Sequence, residues 1–89
     1  MTITSLATPR FPIGVRLRVD AVRDRTVLLY PEGALALNET AALVLELVDG
    51  KRTIADIAAE LKARYETDVT EDVQNLIQSI AAKGLLNVD

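Results

Sequence analysis

The chain has 89 residues and a formal net charge of −3, and it contains neither cysteine nor histidine. A chain of this length forms a single domain around one hydrophobic core. The two missing residue types exclude disulfides and a thiol nucleophile, and they remove the usual general base and the commonest transition-metal ligands. We therefore expect a protein that binds a partner without a catalytic residue, a metal or a cofactor of its own.

The first twelve residues contain two prolines and no sustained periodicity. This composition predicts a flexible N-terminal tail over residues 1–12. The remaining residues, 13–89, are predicted to form the folded domain.

Two strands are predicted at the start of this domain. Residues 15–20 alternate between apolar and polar side chains, which predicts a half-buried strand. The inward-facing residues of this strand are predicted to be Val15, Leu17 and Val19. Residues 26–30 follow after a loop and carry β-branched and aromatic side chains, with apolar residues on both faces. A strand of that kind is typical of the middle of a sheet.

A third, short strand is predicted over residues 34–37. These residues lie between a Pro-Glu-Gly turn and a helix cap, and they are too few for a helix of their own. The leucines share one face of the strand and the small alanines share the other. The strand consists of Ala34, Leu35, Ala36 and Leu37.

Three helices are predicted after the strands. Asn38 and Thr70 are predicted to cap the first and third helices, and a capping box at Thr53 opens the second. The third helix carries an apolar stripe and ends at Gly84. The residues of that stripe are Val73, Leu76, Ile77 and Ile80. The apolar residues after Gly84 are expected to pair with the sheet or to fold back on the core.

Three strands followed by three helices make an α+β domain. We predict a three-stranded antiparallel sheet followed by a three-helix bundle, with a helical half like that of a winged helix-turn-helix. The third strand has neither the charge nor the proline with which natural proteins usually protect a sheet edge. Its unpaired N–H and C=O groups are therefore a candidate site for an extended peptide.

The order and spacing of several segments resemble the PqqD family, the peptide-binding proteins of pyrroloquinoline quinone biosynthesis. The resemblance extends from about Phe11 to Val88. The segments that carry it are Gly14-Val15-Arg16-Leu17-Arg18, Val27-Leu28-Leu29-Tyr30-Pro31-Glu32-Gly33, Leu37-Asn38-Glu39-Thr40-Ala41 and Asp49-Gly50-Lys51-Arg52-Thr53-Ile54, with Ile57 and Leu61 beyond. The family is the prototype of the recognition elements for ribosomally made, modified peptides.

The resemblance implies a chaperone that catalyses nothing itself. Proteins of this family bind a PqqA-like precursor peptide and present it to a PqqE-like radical S-adenosylmethionine enzyme, which joins a glutamate of the peptide to a tyrosine. In this fold class the leader peptide docks as an extra strand beside the third strand, in a groove lined by the third helix. The matching positions here are Ala34, Leu35, Ala36 and Leu37 on the strand and Val73, Leu76, Ile77 and Ile80 on the helix.

A DNA-binding winged-helix protein is the main alternative from another functional class, because the second and third helices could form a helix-turn-helix. The third helix, however, begins with Glu71 and Asp72 and has a single basic residue, Lys83, near its end. A recognition helix needs basic or amide side chains toward the duplex, whereas two carboxylates at its start would be repelled by phosphates. We therefore expect no nucleic acid partner.

Three further expectations follow from the sequence. An adaptor of the same fold could equally serve another pathway, such as one that makes a lasso peptide or a sactipeptide. An exposed edge strand and an apolar C-terminus also allow a homodimer. No apolar run approaches the roughly 18 residues of a membrane span, and the first residues lack the charged start of a secretory signal, so we expect a cytoplasmic protein without membrane contact.

Overall fold

The computed structural model describes residues 4–88 and contains two small sheets and three helices. In chain order the elements are β1 (Pro9–Arg10), β2 (Arg16–Asp20), β3 (Arg25–Tyr30), β4 (Gly33–Ala36), α1 (Glu39–Glu46), α2 (Ile54–Tyr65), α3 (Thr70–Ala82) and β5 (Asn87–Val88). The strands β2, β3 and β4 form an antiparallel sheet with β3 in the middle, and β1 pairs with β5. The predicted α+β class, with three antiparallel strands followed by three helices, is confirmed.

One hydrophobic core joins the sheet to the helices. Leu28, at the centre of β3, is fully buried, as are Leu45 of α1 and Ile57 of α2. The helix α1 packs against β3, and α2 packs against α3. After α3 the chain returns to this core through Leu85 and Leu86, which are 8% and 3% exposed, before β5 pairs with β1. Of the two expected arrangements of the C-terminal apolar residues, Leu85 and Leu86 thus adopt the one that folds back on the core.

The segment before β2 is part of the packed domain, which corrects the predicted tail over residues 1–12 as far as the structure describes it. Ala7 is 7% exposed, and its carbonyl accepts a hydrogen bond from the Ile54 backbone N–H at 2.9 Å. The Ser5 carbonyl accepts from Ala55 N–H at 2.8 Å. The first N–H groups of a helix have no acceptor within that helix. The N-terminal segment supplies carbonyl acceptors for two of these N–H groups of α2. Residues 1–3 and 89 lie outside the described part of the chain.

The strand β2 differs from its prediction at Val19, which was expected to face inward. Val15 and Leu17 are half-buried against the core, but Val19 is 68% exposed. The residues of the following turn, 21–24, are exposed as well. The end of the β2–β3 hairpin therefore extends beyond the core, so that the alternation of the strand continues where nothing remains to bury its apolar side.

Two of the three predicted helix caps are present. The Asn38 side chain accepts a hydrogen bond from Ala41 N–H at 2.7 Å, and Thr53 and Asp56 form the reciprocal capping box of α2. At α3 the prediction of a Thr70 cap is wrong, because Thr70 is the first residue of the helix. Asp68 accepts hydrogen bonds there from the Thr70 backbone N–H at 3.0 Å and from its hydroxyl at 2.8 Å.

These contacts of Asp68 make a pH-dependent contribution to stability. The hydrogen bonds from the Thr70 backbone and then from its hydroxyl lower the pKa of the Asp68 carboxyl below its ordinary value. A carboxyl whose pKa is lowered by folding stabilises the fold above its unfolded pKa of about 3.9, and this stabilisation is lost as the pH falls through the folded pKa. We expect Asp68→Asn to reduce the free energy of unfolding in urea at pH 7 and to reduce it less at pH 3. An equal reduction at both pH values would contradict this role of the charge.

The α1–α2 turn contains an ion-pair network that explains the conspicuous sequence of residues 49–53. Asp49 accepts hydrogen bonds from the backbone N–H groups of Lys51 and Arg52, at 2.9 and 2.8 Å. The Arg52 guanidinium donates to the Leu47 carbonyl and pairs with Asp49 and Glu60. The segment therefore ends α1 and positions α2, which are structural tasks.

Candidate binding site

The strand β4 lies at the edge of the three-stranded sheet, and in the described part of the chain no strand pairs with its outer side. Leu37 N–H donates to the Thr26 carbonyl at 3.0 Å, so these two residues form a hydrogen-bonded pair. In an antiparallel ladder such pairs alternate with pairs whose N–H and C=O groups point away from the partner. The register between β3 and β4 therefore directs the backbone polar groups of Ala34 and Ala36 toward the open edge.

The side chains of β4 alternate between the two faces of the sheet. Leu35 pairs in register with the fully buried Leu28 and is itself half-buried against the core. Ala34 and Ala36 are exposed, and Leu37, just after the strand, is 9% exposed. The predicted strand residues are thus brought together, with two free backbone positions flanked by leucines that face inward.

Two cavities place the end of α3 near β4 and the beginning of α3 near the residues that follow β4. Lys83 and Leu85, at the end of the helix, line a pocket with Leu35 and with Tyr30, which lies just before β4. At its other end, α3 shares a second cavity with the beginning of α1, which follows β4 directly. We call the space between them the β4–α3 groove, the first cavity its Lys83 pocket and the second its α1–α3 cleft. The two cavities mark the two ends of this candidate groove.

One face of α3 follows this groove. Asp72 lines the α1–α3 cleft, and Lys83 lines the opposite pocket. These residues are eleven positions apart and therefore lie close to the same helix face, on which Leu76 and Ser79 fall between them. Leu76 is half-buried and packs against the core, and Ser79 is exposed. The groove side of α3 is thus formed by a mixed stripe of one apolar, one small and two charged residues.

The structure separates the four apolar residues predicted to line the groove. Ile77 and Ile80 are 0% and 3% exposed, so they belong to the core and present almost no surface, and their predicted contact with the peptide is not part of the site proposed below. Val73 is 2% exposed and forms part of the floor of the α1–α3 cleft. Leu76 is the member of the stripe with a partly exposed side chain. Ser79 and Lys83 were missed, because the apolar periodicity that identified the stripe records the buried face of a helix.

The lining of the site combines apolar and charged side chains. Among residues 4–88, no three histidine, cysteine, aspartate or glutamate side chains are grouped as metal ligands would be. No helix in the same part of the chain is both long and apolar enough to cross a bilayer. Charged residues stand at both ends of the groove, with Asp72 and Glu39 at the cleft and Lys83 and Glu32 at the pocket. Such a groove can hold an extended chain and discriminate between its side chains.

Comparisons with known proteins agree on one family. A family model described as Coenzyme PQQ synthesis protein D (PqqD) matches residues 25–86. A PqqA binding protein of Kluyvera intermedia is 48% identical over 73 residues, which cover 80% of this chain and 79% of that protein.

Two solved structures share the fold. The solution NMR structure of the PqqD truncation of Methylobacterium extorquens PqqCD has a TM-score of 0.84 and 39% identity, covering 96% of this chain and 94% of that one. That truncation is a functional, stand-alone recognition element for ribosomally synthesised and post-translationally modified peptides. The crystal structure of PqqD from Xanthomonas campestris has a TM-score of 0.59 and 36% identity, covering 97% of this chain and 99% of that one.

Proposed function

The chain belongs to the PqqD family, and we propose that it is a peptide chaperone of pyrroloquinoline quinone biosynthesis that holds a PqqA-like precursor peptide at the edge of β4. The relatives' names supply the ligand class, since they are PqqA binding proteins. The binding itself requires no catalytic group. The role is therefore one of recognition.

The free backbone groups of Ala34 and Ala36 are the observation on which this proposal rests most. An extended peptide laid beside β4 would form main-chain hydrogen bonds with these two residues, and such bonds give affinity without regard to sequence. The peptide's alternate side chains would point into the β4–α3 groove, where Leu35 and Leu76 offer half-buried apolar surface. The proposed contacts are Ala34, Leu35, Ala36 and Leu76. The buried Leu37 and Val73 pack beneath this surface.

Presentation of the bound peptide to a PqqE-like radical S-adenosylmethionine enzyme completes the proposed function. A peptide held in the β4–α3 groove is not enclosed, so its solvent-facing side stays accessible to a second protein. We place the encounter in the cytoplasm, where a ribosomally made peptide first becomes available. Homodimerisation through the same edge would compete with the peptide for Ala34 and Ala36.

The charge of α3 supports a peptide ligand over a DNA duplex. Glu71 and Asp72 are exposed in the first turn, and the last turn has no basic residue. A recognition helix that approached a duplex with this end would bring carboxylates toward phosphates. Lys83 follows the helix at its far end and lines the groove.

Calorimetric titration with a synthetic PqqA-like precursor peptide from the same genome tests the proposal. We expect saturable binding of the peptide at one site and no binding of a DNA duplex at low salt, where electrostatic binding is strongest. A scrambled peptide of the same composition is the control for nonspecific association. Binding of the duplex with a steep salt dependence, together with no binding of the peptide, would refute the proposed function.

A further inference from the structure

The α1–α3 cleft is an apolar cavity that the docking of a backbone on β4 leaves unexplained. Its floor consists of Val44, Leu61 and Val73, which are at most 4% exposed, and its walls include the half-buried Leu43 and Val69. Its volume is about 290 Å³. An apolar cavity of about 150 Å³ is enough to bind benzene, so this cleft has room for a large side chain.

The rim of the cleft is acidic and contains an exposed aromatic ring. Tyr65 is 54% exposed, although its side chain is large and mostly apolar. Glu39 and Asp72 are exposed at the mouth, and no lysine or arginine lines the cavity. Within residues 4–88 neither carboxylate makes a hydrogen bond or an ion pair with another side chain. The cleft therefore combines an apolar interior with two exposed carboxylates at its mouth.

The rim of the cleft begins three residues after the end of β4. Only Leu37 and Asn38 separate the last residue of β4 from Glu39, the first residue of α1 and part of the rim. A strand advances about 3.3 Å per residue, so a peptide paired with Ala36 passes the mouth of the cleft within about three further residues. This holds for either chain direction of the peptide. A peptide on β4 thus brings its own side chains to the cleft.

We propose that the α1–α3 cleft is the specificity pocket for the peptide, and that it takes an apolar side chain whose neighbour in the peptide is a lysine or arginine held between Glu39 and Asp72. This inference rests on the proposed function, because the peptide strand on β4 delivers the side chain. An apolar interior selects the first residue by burial, and the two carboxylates select the second by charge.

The two carboxylates can also stabilise their helices, and this structural role differs from the proposed recognition of a basic residue of the peptide. Glu39 and Asp72 lie in the first turns of α1 and α3, where negative charge stabilises the helix dipole. Glu71 lies in the same turn of α3 and is exposed, but it does not line the cleft. Glu46, at the end of α1, is also exposed and outside the cleft. These two glutamates provide a control with the same change of net charge.

The experiment compares two charge-reversed proteins in calorimetric titration with the synthetic PqqA-like precursor peptide. We expect Glu39→Lys/Asp72→Lys to weaken peptide binding by about tenfold or more at low salt, and less at high salt, because exposed ion pairs are screened. The control, Glu46→Lys/Glu71→Lys, keeps nearly the affinity of the unchanged protein. Far-ultraviolet circular dichroism verifies that each variant is folded.

A second arm of the experiment identifies the matching residue of the peptide. Each lysine or arginine of the peptide is replaced by glutamine in turn, and each peptide is titrated against the unchanged protein and the Glu39→Lys/Asp72→Lys variant. One replacement should weaken binding to the unchanged protein and not weaken binding to the variant further. Leu43→Ala, which enlarges the cleft without changing its charge, should also lower the affinity.

Each outcome distinguishes the two proposals. If the unchanged protein binds the peptide and the cleft variants bind it equally well, the specificity pocket is refuted while the peptide-binding function stands. If both charge-reversed proteins lose affinity alike, the effect is one of net charge, and the pocket is again refuted. If the unchanged protein does not bind the peptide, the proposed function fails and the pocket fails with it.

Discussion

Ala36→Pro is expected to reduce the affinity for the precursor peptide by at least about tenfold while leaving the fold intact. The backbone N–H of Ala36 points to the open edge, so proline removes a donor that the peptide would use and no hydrogen bond of the β3–β4 ladder. The loss of one main-chain hydrogen bond corresponds to about tenfold in binding, and the proline ring adds an obstacle in the path of the peptide. Calorimetric titration measures the affinity, and thermal unfolding measures stability.

Two matched variants make this result specific. Ala36→Ser keeps the N–H and should bind the peptide normally. Leu35→Pro removes an N–H that the alternation directs to β3, so it should destabilise the sheet instead of acting on the edge alone. Normal peptide binding by a folded Ala36→Pro protein would show that the peptide does not pair with this edge.

The parts of the fold that the sequence predicted well are those governed by local rules. The alternation of residues 15–20, the turn before β4 and the caps at Asn38 and Thr53 each depend on neighbours within a few positions. A strand of four residues between a turn and a cap is also a local deduction. Such features are readable because the backbone period and the capping chemistry are properties of the segment itself.

The errors arose where a distant segment decides the structure. The carbonyls of Ser5 and Ala7 are held by N–H groups of α2, about fifty residues further along the chain, and no local pattern records that contact. Val19 continues a perfect alternation, but it is 68% exposed. Burial at these positions depends on which elements meet, and periodicity alone does not contain that information.

The binding site shows the same division between local and distant information. The position of β4 at the sheet edge was predicted correctly, because shortness, small residues and missing charge are visible in the sequence, and its role as a binding site stays a prediction. The groove side of α3 was not predicted, because its residues Asp72, Ser79 and Lys83 resemble those of any solvent-exposed helix surface. The role proposed for them depends on their position on the groove side of the helix. The same is true of Glu39 and Tyr65 at the α1–α3 cleft, which are far apart in sequence.

The pair Leu76 and Ile77 allows the two sides of α3 to be separated by experiment. Ile77 is fully buried, so we expect Ile77→Ala to lower the free energy of unfolding by about 2–5 kcal/mol, through lost burial and the cavity left behind. Leu76 is half-buried, and Leu76→Ala should cost less stability but weaken peptide binding, because its side chain is proposed to form part of the groove. Urea unfolding and calorimetric titration of both variants provide the two readouts.

A milder substitution keeps the comparison valid if Ile77→Ala is too unstable to titrate. Ile77→Val should cost about 0.5–1.5 kcal/mol and leave the affinity of the folded protein unchanged. Weaker peptide binding by Ile77→Val than by Leu76→Ala would mean that the helix turns its isoleucine side to the peptide, and that the groove opens on binding. If Leu76→Ala weakens peptide binding more than Ile77→Val does, the stripe of Asp72, Leu76, Ser79 and Lys83 is the surface that contacts the peptide. The neighbouring stripe, which contains Ile77, then stabilises the fold.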